Sequence, residues 1–280
     1  KPFFLAVGFT KPHLPFIAPK KYWDLYERET FAMPSNLGVP PGYPEYAREG
    51  RAGELRSYSD IPPKGSPTEF PAALNKRLIH GYHACVSYMD DNVGLLLDAL
   101  EKSGKADSTI VVFWADHGWK LGDHSSWCKH TNFECDTRVP LIVRVPGKPS
   151  AKGTTQSLVE LIDLFPTLCD LTGLKKPAHL QGKSFLPTLD HPKSPHRKFA
   201  YSSYPHGRKP GKPVTGHSIR TDRFRYTEWW ERDSDKVVAT ALTDLEKDPG
   251  ETTSALPGEE GMAVQLSKLL RERVLEVRKR

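Results

Sequence analysis

Two hydrophobic periods stand back to back between Pro71 and Gly118. Leu74, Leu78, Tyr82, Cys85, Val86, Met89, Val93, Leu96, Leu97 and Leu100 recur at about 3.6-residue spacing, which predicts a helix from Pro71 to about Lys102 with Gly104 as its stop. STIVVFWAD follows at once, β-branched and apolar, and predicts a buried strand that ends in Asp116-His117-Gly118. Residues 1–9 (KPFFLAVGF) and 139–145 (VPLIVRV) read as further buried strands, and residues 157–174 as a second helix, with Pro166 at a kink or in a first turn. Strand and helix alternating over the first 174 residues point to an α/β layer with parallel strands.

Between these elements, residues 10–70 are rich in proline and aromatics and lack periodicity; a connection of that length is usually functional rather than a passive linker. Residues 146–156 form a polar loop. Beyond about residue 190 the pattern changes. Residues 217–230 alternate like a half-exposed strand, KVVATALTDL supplies a hairpin partner, and Met262, Leu266, Leu269, Leu270, Val274 and Val277 share one face of a helix at about 261–279. The expected organisation is therefore a main α/β domain over 1–195 and a small antiparallel sheet with a terminal helix over 196–280.

Composition narrows the class. With 280 residues, 38% hydrophobic and 26% charged, the chain can bury a core without staples. No apolar run approaches the roughly 18 residues of a membrane span. Cys85, Cys128, Cys135 and Cys169 lack metal-finger spacing and read as free thiols. The formal charge of +6 suits an anionic partner, but the basic residues are scattered and match no nucleic-acid motif. KPFFLAVGF opens as a strand already under way, with no basic leader ahead of it, so the chain reads as a fragment whose beginning lies elsewhere.

Chemistry concentrates at the end of the STIVVFWAD strand. Ligands of α/β sheets bind beyond the carboxyl ends of strands. Asp116 offers a hard oxygen suited to calcium or magnesium, and His117 broadens the choice of metal. Leu121-Gly122-Asp123-His124 repeats an acid–histidine pair, and Lys129 offers a cation to an anionic substrate. The plainer alternative makes Asp116 a turn cap and the histidines ordinary loop residues. Lys11-Pro12-His13, after the first expected strand, has groups able to bind an anion and protonate a leaving oxygen, although a solvated turn carries the same residues.

KPFFLAVGFTKPHLPF, GYHACVSYMDDNVGLLLDALE and STIVVFWADHGWKLGDHSSWCKHTNFE resemble the sulfatases of the alkaline-phosphatase-like superfamily. VPLIVRVPG, LVELIDLFPTLCDLTGL, SIRTDRFRYTEW and TDLEKDPGETTSAL continue the likeness in order over almost the whole chain. The resemblance implies the C-terminal part of an alkaline-phosphatase-like α/β sandwich, completed by a small antiparallel sheet with a C-terminal helix. It implies a sulfuric ester hydrolase acting on a sulfated carbohydrate, such as a sulfated uronic acid, in a periplasmic, secreted or lysosome-like setting. Asp116 and His117 would be ligands of one divalent cation, Ca2+. His13 would be the proton donor, and Lys129 would neutralise sulfate charge; Lys11, Trp119 and His124 would be substrate-pocket residues.

One part of the family pattern is missing. Sulfatases make a formylglycine from the first residue of C/S-x-P-x-R, and no such motif occurs here. Ser203-Tyr204-Pro205-His206-Gly207 has glycine where arginine belongs, and Asp90-Asp91 reads as a solvated helix face rather than a metal-binding pair. The formylglycine and the remaining ligands are therefore expected in an N-terminal part of the same enzyme, and the chain alone should not turn over. The rival readings are a phosphodiesterase or phosphonate hydrolase on the same fold, and a non-catalytic module that binds sulfated glycans.

Overall fold

A computed structural model describes residues 1–48, 52–148, 153–207 and 211–279, so residues 149–152 of the polar loop and Arg280 of the closing basic run lie outside the described residues. In chain order the first elements are α1 (Lys20–Trp23), α2 (Ala72–Lys102), β1 (Val111–Trp114), β2 (Lys120–Leu121), β3 (Trp127–Cys128), α3 (Glu134–Thr137) and β4 (Leu141–Arg144). There follow α4 (Leu164–Thr172), α5 (Leu186–Asp190), β5 (Ala200–His206), β6 (Val214–Arg220), β7 (Phe224–Glu231), β8 (Val237–Asp244) and α6 (Glu260–Arg278). The chain divides into two units, one of Lys1–Ser35, Gly50–Thr109 and Lys120–Cys128, the other of Asn36–Glu49, Ile110–Trp119 and Lys129–Arg280.

In the first unit α2 has the predicted extent and ends where Gly104 adopts φ +69°. Its N-terminal half carries the burial, through Leu78, Ile79, Ala84 and Cys85. Gly81 lets an aromatic lie flat against the helix, since a Cβ there would stand 2.9 Å from the Trp23 ring. Aromatic pairs order the aperiodic segment on this helix: Phe16 meets Tyr82, Tyr22 meets Tyr88, and Phe31 meets His83 at ring-centroid distances of 5.8, 5.2 and 4.6 Å. Strands β2 and β3 form a short antiparallel pair with Trp127 stacked on Phe70.

Residues 1–9 do not form the predicted strand. A strand exists through the ladder it joins, and among the described residues this segment joins none; Phe4 is 86% exposed.

The second unit is built on a sheet of order β5-β6-β7-β8, antiparallel throughout. The predicted strand 217–230 is in fact the hairpin β6–β7, turning at 221–223, where the Phe224 N–H donates to the Thr221 hydroxyl at 2.9 Å. It is buried on both faces rather than half-exposed. On one face Leu266, Leu270 and Val274 of α6 cover Ile219, Tyr226, Trp230 and Leu242. On the other, Trp229, Val214 and Ala241 pack with Ala47 and Phe133. The expected parallel layer is also corrected: β1 and β4 pair antiparallel, Val111 opposite Arg144 and Trp114 opposite Leu141, and no parallel ladder occurs among the described residues. The helix expected from residue 157 begins as α4 at Leu164, preceded by a 3-10 turn, and Pro166 falls in its first turn, where a missing N–H costs no helical hydrogen bond.

Candidate active site

The turn leaving β1 presents a carboxylate and an imidazole together. Asp116 is exposed, and its Oδ1 accepts the N–H of His117 at 3.1 Å. The His117 Nδ1 lies 2.8 Å from the carbonyl of Gly118, so the ring donates from Nδ1 and turns the Nε2 lone pair to within 3.5 Å of Asp116 Oδ2. Two lone-pair donors facing each other at that spacing fit as neighbouring ligands of one cation, an oxygen and a nitrogen. No cluster of three or more His, Cys, Asp or Glu able to hold a metal occurs among the described residues.

Gly118 makes the turn possible. Its N–H donates 2.8 Å to the carbonyl of Asp136 in α3, and a Cβ at this position would stand 2.0 Å from the Cys135 carbonyl oxygen. Only glycine lets the chain run this close to α3. Beyond it, the Trp119 ring stacks on His117 with centroids 6.2 Å apart and planes 28° from parallel. The Lys129 ammonium stands 5.0 Å from the centre of the Trp119 ring. Carboxylate, imidazole, indole and ammonium thus stand in series.

The loop between Trp119 and Lys129 is strained. His124, Ser125 and Cys128 take φ of +53°, +49° and +71°, Gly122 takes +109°, and His130 just beyond takes +89°. Left-handed backbone costs a non-glycine residue roughly 1 kcal/mol or more, and such residues cluster where a site needs them. His124 is buried.

In the first unit, Lys11 directs its ammonium to the carbonyls of His13, at 3.2 Å, and Pro15. His13 has an acceptor at each ring nitrogen: the Leu14 carbonyl 3.0 Å from Nδ1 and Glu54 Oε2 3.2 Å from Nε2.

The structure therefore brings Asp116, His117, Trp119 and Lys129 together in the second unit, whereas Lys11, His13 and His124 belong to the first. Glu54 and Asp136 were not foreseen: neither sits in a motif, and Glu54 stands 41 positions from His13 within the aperiodic segment. Ser203–His206 lies in β5, and Asp91, exposed on α2, accepts from the Tyr22 hydroxyl at 2.5 Å and Lys21 at 3.1 Å.

The Sulfatase family model matches residues 1–174, and a second, N-sulphoglucosamine sulphohydrolase, C-terminal, matches residues 122–280. The chain is similar to iduronate 2-sulfatase of Homo sapiens, 33% identical over 85% of this chain and 54% of that protein. A solved structure described in complex with its substrate D-glucosamine-2-N,6-O-disulfate superposes with TM-score 0.74 at 24% identity, covering 96% of this chain and 63% of that one. The phosphonate monoester hydrolase of Agrobacterium radiobacter superposes with TM-score 0.72 at 24% identity, over 96% and 55% respectively. The chain spans about half the length of the curated relatives it matches.

Proposed function

The chain belongs to the sulfatase family, and from that premise we propose that it carries one side of the catalytic centre of a sulfuric ester hydrolase acting on a sulfated sugar. The observation that carries the proposal is the series Asp116, His117, Trp119, Lys129, in which an imidazole facing a carboxylate and an ammonium share one indole. A phosphatase that relies on two metals needs further carboxylate and imidazole ligands. Here the chain offers an ammonium instead, which suits the lower charge of a sulfate monoester.

Asp116 and His117 would hold a divalent cation, with Ca2+ favoured by the hard carboxylate. When bound, that cation would polarise the sulfate, and the formylglycine general to the family would supply the attacking oxygen. This chain's own residues share the remaining tasks. Lys129 places positive charge on the non-bridging or bridging sulfate oxygens, steadied over Trp119. His13 gives a proton to the departing alkoxide, the net change over the whole cycle being ROSO3⁻ and water to ROH and HSO4⁻. Glu54 holds the Nε2 proton until the leaving oxygen takes its place as acceptor. Lys11 anchors the turn that carries His13 and extends positive charge toward the substrate.

Iduronate 2-sulfatase is the relative behind the choice of a sulfated uronic acid unit as substrate class. The test is sulfate release by the full-length protein from an aryl sulfate and a sulfated disaccharide, with and without calcium, beside matched phosphate and phosphonate esters. Calcium-dependent sulfate release that exceeds the phosphorus esters is the expected result. Preference for a phosphonate ester would move the assignment to the neighbouring hydrolases, and metal-independent, salt-sensitive glycan binding without turnover would make the chain a binding module.

A further inference from the structure

Helix α3 is a single turn, Glu134–Thr137, yet both arms of the site end on it. The arm bearing Asp116 and His117 arrives through Gly118, whose N–H donates to the Asp136 carbonyl at 2.8 Å. The arm bearing Lys129 arrives through Thr131, two residues further on. Its N–H and hydroxyl both donate to Asp136 Oδ2, at 2.7 and 2.6 Å. Asp136 is 5% exposed. One buried residue therefore serves the metal-ligand arm with its main chain and the lysine arm with its side chain.

The turn that carries Asp136 is itself fixed from the antiparallel sheet. The Glu134 N–H donates to Glu251 Oε2 at 2.6 Å, and Arg225 joins the Glu134 carboxylate to the Thr137 hydroxyl. Glu251 and Arg225 are both buried, so this anchor has little freedom to move. The Asp136 carboxylate accepts from Thr131 through Oδ2, while Oδ1 meets the Cys135 thiol at 3.9 Å. What it controls is where the Lys129 arm stands relative to the Asp116–His117 turn.

We propose that Asp136 is a positioning residue that sets Lys129 in register with Asp116 and His117. This rests on the sulfatase reading for its consequence in turnover, but its geometric content can be tested apart from activity. The Lys129 ammonium lies over the Trp119 ring, so the side-chain methylene protons of Lys129 carry a ring-current shift that reports its position.

The experiment compares D136A, D136N, K129A and the D136A/K129A pair in the full-length protein. D136A is expected to abolish the Lys129 ring-current shift and to speed Thr131 amide exchange by about tenfold or more. D136N, whose side-chain oxygen can still accept from Thr131, restores both. Turnover of an aryl sulfate should fall roughly ten- to a hundredfold in D136A, as expected for a displaced cation. It should fall no further when Asp136 is replaced in the K129A background. If D136A does not fold, T131V removes one of the two contacts and runs the same cycle. An unchanged Lys129 shift and Thr131 exchange in D136A, or equal fold-losses in the native and K129A backgrounds, would overturn the proposal. Absence of turnover in the native protein would instead overturn the sulfatase reading, and the shift and exchange would still decide the role of Asp136.

Discussion

The Lys129 ammonium rests 5.0 Å from the centre of the Trp119 ring, whose other neighbour in the stack is His117. A lysine on a loop has a long, mobile stem, and the indole face restricts where its charge can dwell. A partly exposed contact of this kind contributes about 0.5–1 kcal/mol. Trp119→Ala in the full-length protein should therefore lower kcat/KM for aryl sulfates by about three- to tenfold, once contact with substrate is included, with Trp119→Phe intermediate. Steady-state kinetics check this; equal values for the alanine variant and the native protein would remove the indole from the site.

Gly118 is tied to α3 at a separation that leaves no room for a methyl group, 2.0 Å from the Cys135 carbonyl oxygen. Gly118→Ala must push the turn away from α3, breaking the bond to Asp136 and moving His117. The expected cost is about 1–3 kcal/mol in stability, as for other overpacked sites. Urea titration measures it, and metal affinity should fall in the same variant.

How much of this was legible in the sequence depended on whether a feature is local. Helix α2 was readable to within a residue, because its stripe and Gly104 are written in consecutive turns. Asp116, His117, Trp119 and Lys129 stand out together because they sit within one loop-bearing stretch of fourteen positions. Pairing direction was not, since β1 and β4 look the same parallel or antiparallel until partners are chosen. Residues 1–9 show the same limit, having strand-like composition but no ladder among the described residues. The burial of β7 on both faces was hidden because Trp229 and Trp230, adjacent in sequence, face different cores. Glu54 and Asp136 escaped notice because a partner across a turn or a long loop leaves no periodic trace.

In the proposed metal site Asp116 supplies a carboxylate oxygen and His117 an imidazole nitrogen. Asp116→Asn keeps the shape but removes the charge, and hard cations depend on ligand charge. Calcium affinity should weaken about tenfold or more, measured by calorimetric titration and by metal content of the purified full-length protein. Native metal content in the variant would refute its role as a ligand.

For His13, the discriminating variable is the leaving group. Alkyl sulfates expel a strongly basic alkoxide and depend on proton donation, whereas activated aryl sulfates expel a stabilised phenolate. His13→Ala should cut kcat for an alkyl sulfate by about 10²–10⁴ and for a nitrophenyl sulfate far less. Equal losses on the two substrates would end the general-acid role.

His217 makes the fold sensitive to acid. It sits on β6 beneath Trp230, with the Tyr201 hydroxyl 2.8 Å from Nδ1. Burial first, and then the Arg278 charge, push its pKa down to about 4. Between that value and the ordinary 6.5 the unfolded chain binds a proton that the folded chain refuses, so its contribution to stability is complete above pH 6.5 and shrinks as the pH falls to 4. The full loss is about 3 kcal/mol, taking the shift at 1.36 kcal/mol per pH unit. His217→Phe keeps a flat ring against Trp230 and removes the titration. Denaturant unfolding of native and variant proteins at pH 7 and pH 4.5 should show a smaller loss of stability in the variant; parallel losses would mean that the imidazole is already protonated in the folded protein.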